Sequence, residues 1–282
     1  MSAGALTVRR RQLGRGLLHL VLIVLAVFFL IPVVVMIVTA LQAAGQGGGG
    51  LSIVPHSLTF DNFRAVWEET GLPRLLVNSV IVTVSSTLLV LFFSSLAAFG
   101  LVQHAFVGAS VVLLVLLAGI MLPPAAIIVP LYAEIHDFGL LNNYLGLIGP
   151  YTALGLSVGI LFFRNAFSAI PRDIVRAAKV DGASPWAIYV RIFLPLSLPA
   201  IATVAILQVL FSWNEFLIAL LVMTKENRET AQLAYITYAG LYSASFEKQF
   251  AVLALLTIPV LLVFLVFQRQ FVRGLTSGAI KG

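Results

Sequence analysis

Five residues with usable chemistry stand together in an otherwise apolar stretch: Gln208, Ser212, Trp213, Asn214 and Glu215. Glu215 is the single charge between Arg191 and Lys225. A charged side chain at bilayer depth costs about 2.5–3.5 kcal/mol on insertion scales, so it faces a protein interior or a water-filled cavity. Gln208, Ser212 and Glu215 fall at i, i+4 and i+7, a spacing that predicts one helical face, with Trp213 and Asn214 beside it. Two chemistries fit. These groups line a pathway, hydrogen-bonding the hydroxyls of a solute while the Trp213 ring stacks on it, or they form an interhelical polar contact that stabilises a subunit interface.

Other chemistry is missing. There is no G-x-x-x-x-G-K-[ST] loop to cradle phosphates, so ATP hydrolysis is not expected here. No H-E-x-x-H occurs, and His19, His56, His104 and His136 are scattered rather than clustered as metal ligands would be. The chain has no cysteine, which removes disulfides, thiolate metal sites and a Cys nucleophile. No paired catalytic constellation, cofactor site or metal site is expected.

The elements that must hold these residues are membrane helices. Of 282 residues 60% are apolar and 10% charged, against about 25% charged in ordinary soluble domains, which excludes a water-soluble globule and disorder. A spanning helix needs roughly 20 apolar residues. Six such stretches are predicted, near 17–38, 76–101, 109–132, 144–163, 196–223 and 250–267. The first is too long for a signal peptide's apolar region of about 7–15 residues, and Pro32 should bend it. Gly100, Gln103, His104 and Gly108 mark a tight turn between the second and third, and Pro123, Pro124 and Pro130 should kink or shorten the third. The expected fold is therefore all-α and polytopic. The Gln46–Gly50 run is expected to be a flexible linker on the far side.

Charge sets the orientation. Alternating loops put Arg9, Arg10, Arg11, Arg15, Arg164, Arg172, Arg176, Lys179, Arg191, Arg269, Arg273 and Lys281 on one side, with Asp173 and Asp181. The other side holds five basic residues and eight acids. The positive-inside rule makes the first side the cytoplasm, with both termini there, and the net charge of +6 reflects this rather than nucleic-acid binding.

The cytoplasmic stretch after Ile170 predicts a short amphipathic helix, about 171–180, ended at Gly182, and a second helix from Pro185. Its "RAAKVDGAS" followed by "FLPLSLP" resembles the EAA loop of ABC-importer permeases, through Ala177, Ala178, Asp181, Gly182, Ala183, Leu194 and Pro195. "SWNEFLIAL", "MLPPAAIIVPLY" and the tail "FVRGLTSGAIKG" resemble the carbohydrate, maltose-transporter-type branch. The resemblance runs from about Leu58 to the last residue.

It implies a permease subunit in a bacterial-type inner membrane. The implied partners are a second permease, two ATPase subunits and an extracytoplasmic solute-binding protein. The loop would dock on an ATPase, and the tail, with Gly274, Leu275, Thr276, Gly278 and Lys281, would reach the interface between the two ATPases. One departure stands out. The family's opening glutamate is Arg176 here, so either the partner's charge is inverted or Asp173 or Asp181 carries the contact. The implied division is a tail at 1–16, a first span at 17–41, an outer loop at 42–75, a five-helix core at 76–270 with the EAA loop at 170–195, and a second tail at 271–282. The outer segments Glu134–Asn143 and Lys225–Gln249, with Tyr235, Tyr238 and Tyr242, would meet the binding protein or form an interfacial aromatic belt. A permease for another solute, such as a polyol phosphate, and a non-transporting membrane scaffold are the alternatives.

Overall fold

The computed structural model describes residues 3–43, 57–103, 107–121, 123–239 and 245–279; of 3–15, 110, 117 and 269–279 it describes the backbone alone. The expected linker at 46–50 lies outside the described residues. Among the described residues the chain is helical, with one isolated antiparallel bridge, Gln42 to Leu58. In order come α1 (Ala3–Ala40), α2 (Asp61–Glu69), α3 (Leu72–Gln103), α4 (Ala109–Met121), α5 (Pro124–Asp137), α6 (Leu145–Ser168) and α7 (Arg172–Val180). Then follow α8 (Pro185–Ile188), a π-helical turn (Tyr189–Phe193), α9 (Leu194–Leu196), α10 (Leu198–Asn214), α11 (Leu217–Val222), a 3-10 segment (Ala231–Tyr238) and α12 (Phe246–Ala279).

Four stretches are long and apolar enough to cross a bilayer: Gly16–Ala40, Leu72–Gln103, Leu145–Ser168 and Phe246–Gln268. Two bent pairs, α4 with α5 and Pro185–Leu196 with α10, raise the count to as many as six. The third expected span is broken where its prolines cluster: Pro123 is extended (φ −68°, ψ 135°) and α5 starts on Pro124. The fifth expected span, 196–223, is not one helix. It bends by 77° at Ser197 and breaks again at Glu215.

The chain divides into two compact units, Met1–Thr70 with Tyr235–Leu255, and Gly71–Ala234 with Leu256–Gly282. In the first, the Gly16–Ala40 part of α1 is apolar on every side and its most apolar window has no buried residue. A helix apolar all round suits a membrane span. The short α2 is tied to the end of α1 by Asn62, whose amide donates to the carbonyls of Ala40 (2.9 Å) and Gln42 (2.7 Å).

The second unit is built on α3 and α6, each 44% buried over its most apolar window. They approach closely because α6 carries Gly155 and Gly159 one turn apart. A Cβ on Gly159 would lie 2.6 Å from Ser94 Oγ of α3. One on Gly155 would lie 2.8 Å from Val90 and would overlap the Gln208 amide of α10. This small-xxx-small pattern lets backbones pack without a hydrophobic driving force. Two apolar clusters fill the unit. One gathers Val82, Ile135, Leu147, Tyr151, Ile218 and Val222; the other gathers Val90, Phe99, Phe163, Phe167, Ile188 and Phe193.

Candidate functional site

The polar residues singled out in the sequence meet in the second unit, but not on one helical face. Helix α10 ends at Asn214, and Glu215 is extended (φ −67°, ψ 128°). Gln208 and Ser212 do share a face, one turn apart, and the Gln208 amide donates to Ser212 Oγ at 2.9 Å. Glu215 turns instead to the start of α11. One carboxylate oxygen accepts from the Ile218 N–H (2.8 Å); the other accepts from the Ala219 N–H (3.1 Å) and the Tyr151 hydroxyl (2.6 Å). The first N–H groups of a helix have no partner within it, so an acidic side chain just ahead of α11 satisfies donors that would otherwise be stranded at membrane depth.

From there the polar groups form a chain. Gln208 Nε2 also donates to the Tyr151 carbonyl at 3.1 Å, and Ser212 Oγ lies 2.9 Å from Ser86 Oγ on α3. Thus α3, α6, α10 and α11 are bound by one network running Ser86, Ser212, Gln208, Tyr151, Glu215. Gln208, Ser212 and Trp213 are buried. The Trp213 indole N–H donates to the Leu256 carbonyl at 3.2 Å, so its ring is a packing element rather than a free stacking platform. Asn214 is exposed and donates back to the Leu210 carbonyl at 2.8 Å. A cavity of about 210 Å³ adjoins Gln208, walled by Val90, Leu154, Gly155, Leu207 and Phe211. One amide among apolar walls lacks the several polar groups that orient a hydroxyl-rich ligand. Gln208, Ser212 and Trp213 are thus engaged in contacts between helices of this one chain.

The second candidate is the segment from α7 to α9. Helix α7 begins after the extended Pro171. It ends in a Schellman motif: the Gly182 N–H bonds to the Lys179 carbonyl (3.1 Å), and the Ala183 N–H bonds to the Ala178 carbonyl (2.9 Å). Gly182 makes this possible with φ +77°. Ser184 then caps α8, its hydroxyl accepting from the Ala187 N–H at 3.2 Å, with Pro185 in the first turn. Pro195 has no N–H to give, and ahead of it the Leu194 N–H reaches the Tyr189 carbonyl, the five-residue step that defines the π turn.

The inner side of this segment is anchored by aromatic rings. Phe193 stands edge-on to Phe99 of α3 (5.0 Å) and Phe167 of α6 (5.1 Å), and the Tyr189 hydroxyl lies 2.7 Å from Ser95 Oγ. Its outer side is open: Ile174, Ala177, Val180, Asp181 and Trp186 are exposed. Arg176, Ala177, Ala178, Asp181, Gly182 and Ala183 lie together on α7 and its turn, with Pro195 at the far end of the segment. Arg176 pairs with Asp173 at 3.2 Å, both well exposed. A cleft of about 400 Å³, lined by Phe99, Gln103, Lys179, Gly182, Pro185 and Ile188, runs beside the turn. Helix α12 carries the backbone of Gly274, Leu275, Thr276 and Gly278; their side chains and Lys281 lie outside the described residues.

The third candidate is the segment around Tyr238. Tyr238 is buried, and its hydroxyl donates to Glu69 at 2.9 Å; Lys248 Nζ bonds the same carboxylate at 2.8 and 2.9 Å. These donors hold the Glu69 carboxyl below the usual carboxylate range, the lysine bond first. Burial, then Glu69, pushes the Tyr238 phenol up. Tyr235 is half-buried, and Tyr242 lies outside the described residues. Sequence reasoning missed Tyr151, which holds Glu215, and Glu69, which holds Tyr238. It also missed the G-x-x-x-G spacing at 155–159, which was legible.

Residues 90–277 match the family of binding-protein-dependent transport system inner membrane components. The chain is similar to the diacetylchitobiose uptake system permease protein NgcG of Streptomyces coelicolor, at 31% identity over 93% of this chain and 88% of that one. It is also similar to the trehalose transport system permease protein SugB of Mycobacterium tuberculosis, at 32% identity over 82% and 85%. In fold it is like a chain of a bacterial ABC transporter that imports the acidic polysaccharide alginate, with a TM-score of 0.79, 22% identity and coverage of 93% and 98%.

Proposed function

Since the chain belongs to the family of binding-protein-dependent transport system inner membrane components, we propose that it forms half of the pathway of an ATP-driven importer for a sugar or oligosaccharide. The observation that carries the sugar is the identity of its relatives, permeases of diacetylchitobiose and trehalose systems that align over most of both chains. An extracytoplasmic binding protein would deliver the solute, a second permease would complete the pathway, and separate ATPase subunits would hydrolyse ATP. No cofactor is needed on this chain.

The α7–α9 segment is the coupling surface in this reading. Its exposed outer side fits a docking role, and its aromatic anchor on α3 and α6 supplies a stiff connection from an ATPase to the core. Arg176, Asp173 and Asp181 are all exposed on α7 and its turn, so each is available to face the ATPase, the Arg176–Asp173 pair being a weak surface contact. The helical tail through Ala279 would extend toward the same partner.

Both termini are assigned to the cytoplasm. Asn62 on α2 holds the end of α1, and Glu69 on α2 holds Lys248 near the start of α12. These contacts between the exit of the first span and the entry of the last support an even number of crossings between them.

The test is a reconstituted complex with the co-encoded ATPase and binding protein. A disaccharide or oligosaccharide should stimulate ATP hydrolysis and enter vesicles. Stimulation by a polyol phosphate but no saccharide would overturn the sugar assignment, and none by any solute would favour a scaffold.

A further inference from the structure

Helix α2 has three faces. Asn62 and Val66 are buried against its own unit. Asp61, Arg64 and Glu68 form a charged face, with Arg64 Nε 3.0 Å from Glu68. Phe60, just ahead of the helix, and Phe63 and Trp67 recur at i, i+3 and i+7 and make a third, aromatic face. Phe60 and Trp67 are 76% and 48% exposed, Phe63 between them is half-buried, and the Phe60 and Phe63 rings lie 6.1 Å apart.

What covers that face follows from where α2 is held. Asn62 pins one end to the last turn of α1, at the residue where the Gly16–Ala40 span stops. Glu69 pins the other end to Lys248, two residues into the Phe246–Gln268 span. A nine-residue helix is about 14 Å long, and one fixed at both ends to span termini lies along the membrane boundary. The apolar side chains of α1, to whose end α2 is tied, are likewise exposed along most of the span. Aromatic side chains concentrate at that depth, and an apolar face beside a charged one is what seats a helix in the interface plane.

We propose that α2 is an interfacial helix whose Phe60, Phe63 and Trp67 insert into the outer leaflet at headgroup level, with Asp61, Arg64 and Glu68 toward water. It thereby fixes the outer ends of the first and last spans to the bilayer surface. The occupant of this face is lipid, not a second protein.

The chain's lack of cysteine makes the test direct. Single cysteines replacing Phe60, Arg64 or Trp67, spin-labelled in the reconstituted complex, are read for collision with oxygen, which partitions into lipid, and with a water-soluble nickel chelate. Labels at positions 60 and 67 should favour oxygen several-fold over the label at 64. Nickel accessibility equal to that at 64 would overturn the proposal, as would protection from both reagents, which means a protein partner covers the face. A label at Phe28, exposed in the middle of α1, separates failures: if it too is water-accessible, the span assignment beneath the proposal has failed. An unlabelled check is the tryptophan emission lost in Trp67→Phe. Shallow brominated lipids should quench that part, and iodide should not.

Discussion

At the scale of single residues, Glu215 shows how a charge is accommodated among apolar helices. Its two oxygens accept three hydrogen bonds, two from backbone groups that the break between α10 and α11 leaves open. A glutamine in its place would keep one acceptor oxygen and bring two donors with no assigned partner. Hydrogen bonds to a charged group contribute about 1.5–3 kcal/mol each. Glu215→Gln should therefore lower the thermal stability of the purified complex and slow uptake, and Tyr151→Phe should do so more mildly. A double-mutant cycle on stability should show coupling between them; additive effects would mean the 2.6 Å contact contributes nothing. Glu69 makes a pH-dependent prediction. Its carboxyl is held low, so the clasp with Lys248 and Tyr238 contributes above the ordinary carboxylate value of about 4.3 and is lost as pH falls through the lower folded value. The carboxylate is half exposed, so the contribution is at most about 1 kcal/mol. Glu69→Gln should remove that acid sensitivity, measured as the difference in melting temperature between pH 7 and pH 3.

At the scale of elements, the α7–α8 turn depends on one backbone angle. Gly182 sits at φ +77°, with open space where a Cβ would stand. The penalty for a side chain there is conformational, about 1–2 kcal/mol, greater for a β-branched residue and smaller for Asn. Gly182→Val should loosen the Schellman turn while the flanking spans keep their own hydrogen bonds. The complex should still insert, with solute-stimulated ATP hydrolysis reduced several-fold, and Gly182→Asn should retain most of it. Normal stimulation in Gly182→Val would mean that this turn transmits nothing.

At the scale of the whole molecule, the proposed orientation is open to labelling from either side of the membrane. Cysteine replacing Glu226, in an exposed segment that this orientation puts outside, should react with an impermeant maleimide in intact cells. Cysteine replacing Ser277 should react only after the membrane is opened. Labelling of position 277 from outside would reverse the orientation.

The amino-acid sequence by itself determined the class of fold, the positions of the four long apolar helices and the two short helices after Ile170. Each of these rests on local properties: runs of about twenty apolar residues, a helix-ending glycine at 182, prolines at 171 and 185. It even carried the α6 packing signal, Gly155 and Gly159, whose partner on α3 it could not name. What only the tertiary structure decided was where polar side chains find partners. Periodicity put Glu215 on the face of Gln208 and Ser212; the chain instead breaks there, because Tyr151, 64 residues away, and the open end of α11 offer the carboxylate better satisfaction than a continuous helix would. Trp213 likewise turned inward to the Leu256 carbonyl, 43 residues on. Helix periodicity carries no information about such distant donors and acceptors, and at membrane depth, where water cannot substitute, they settle the local backbone.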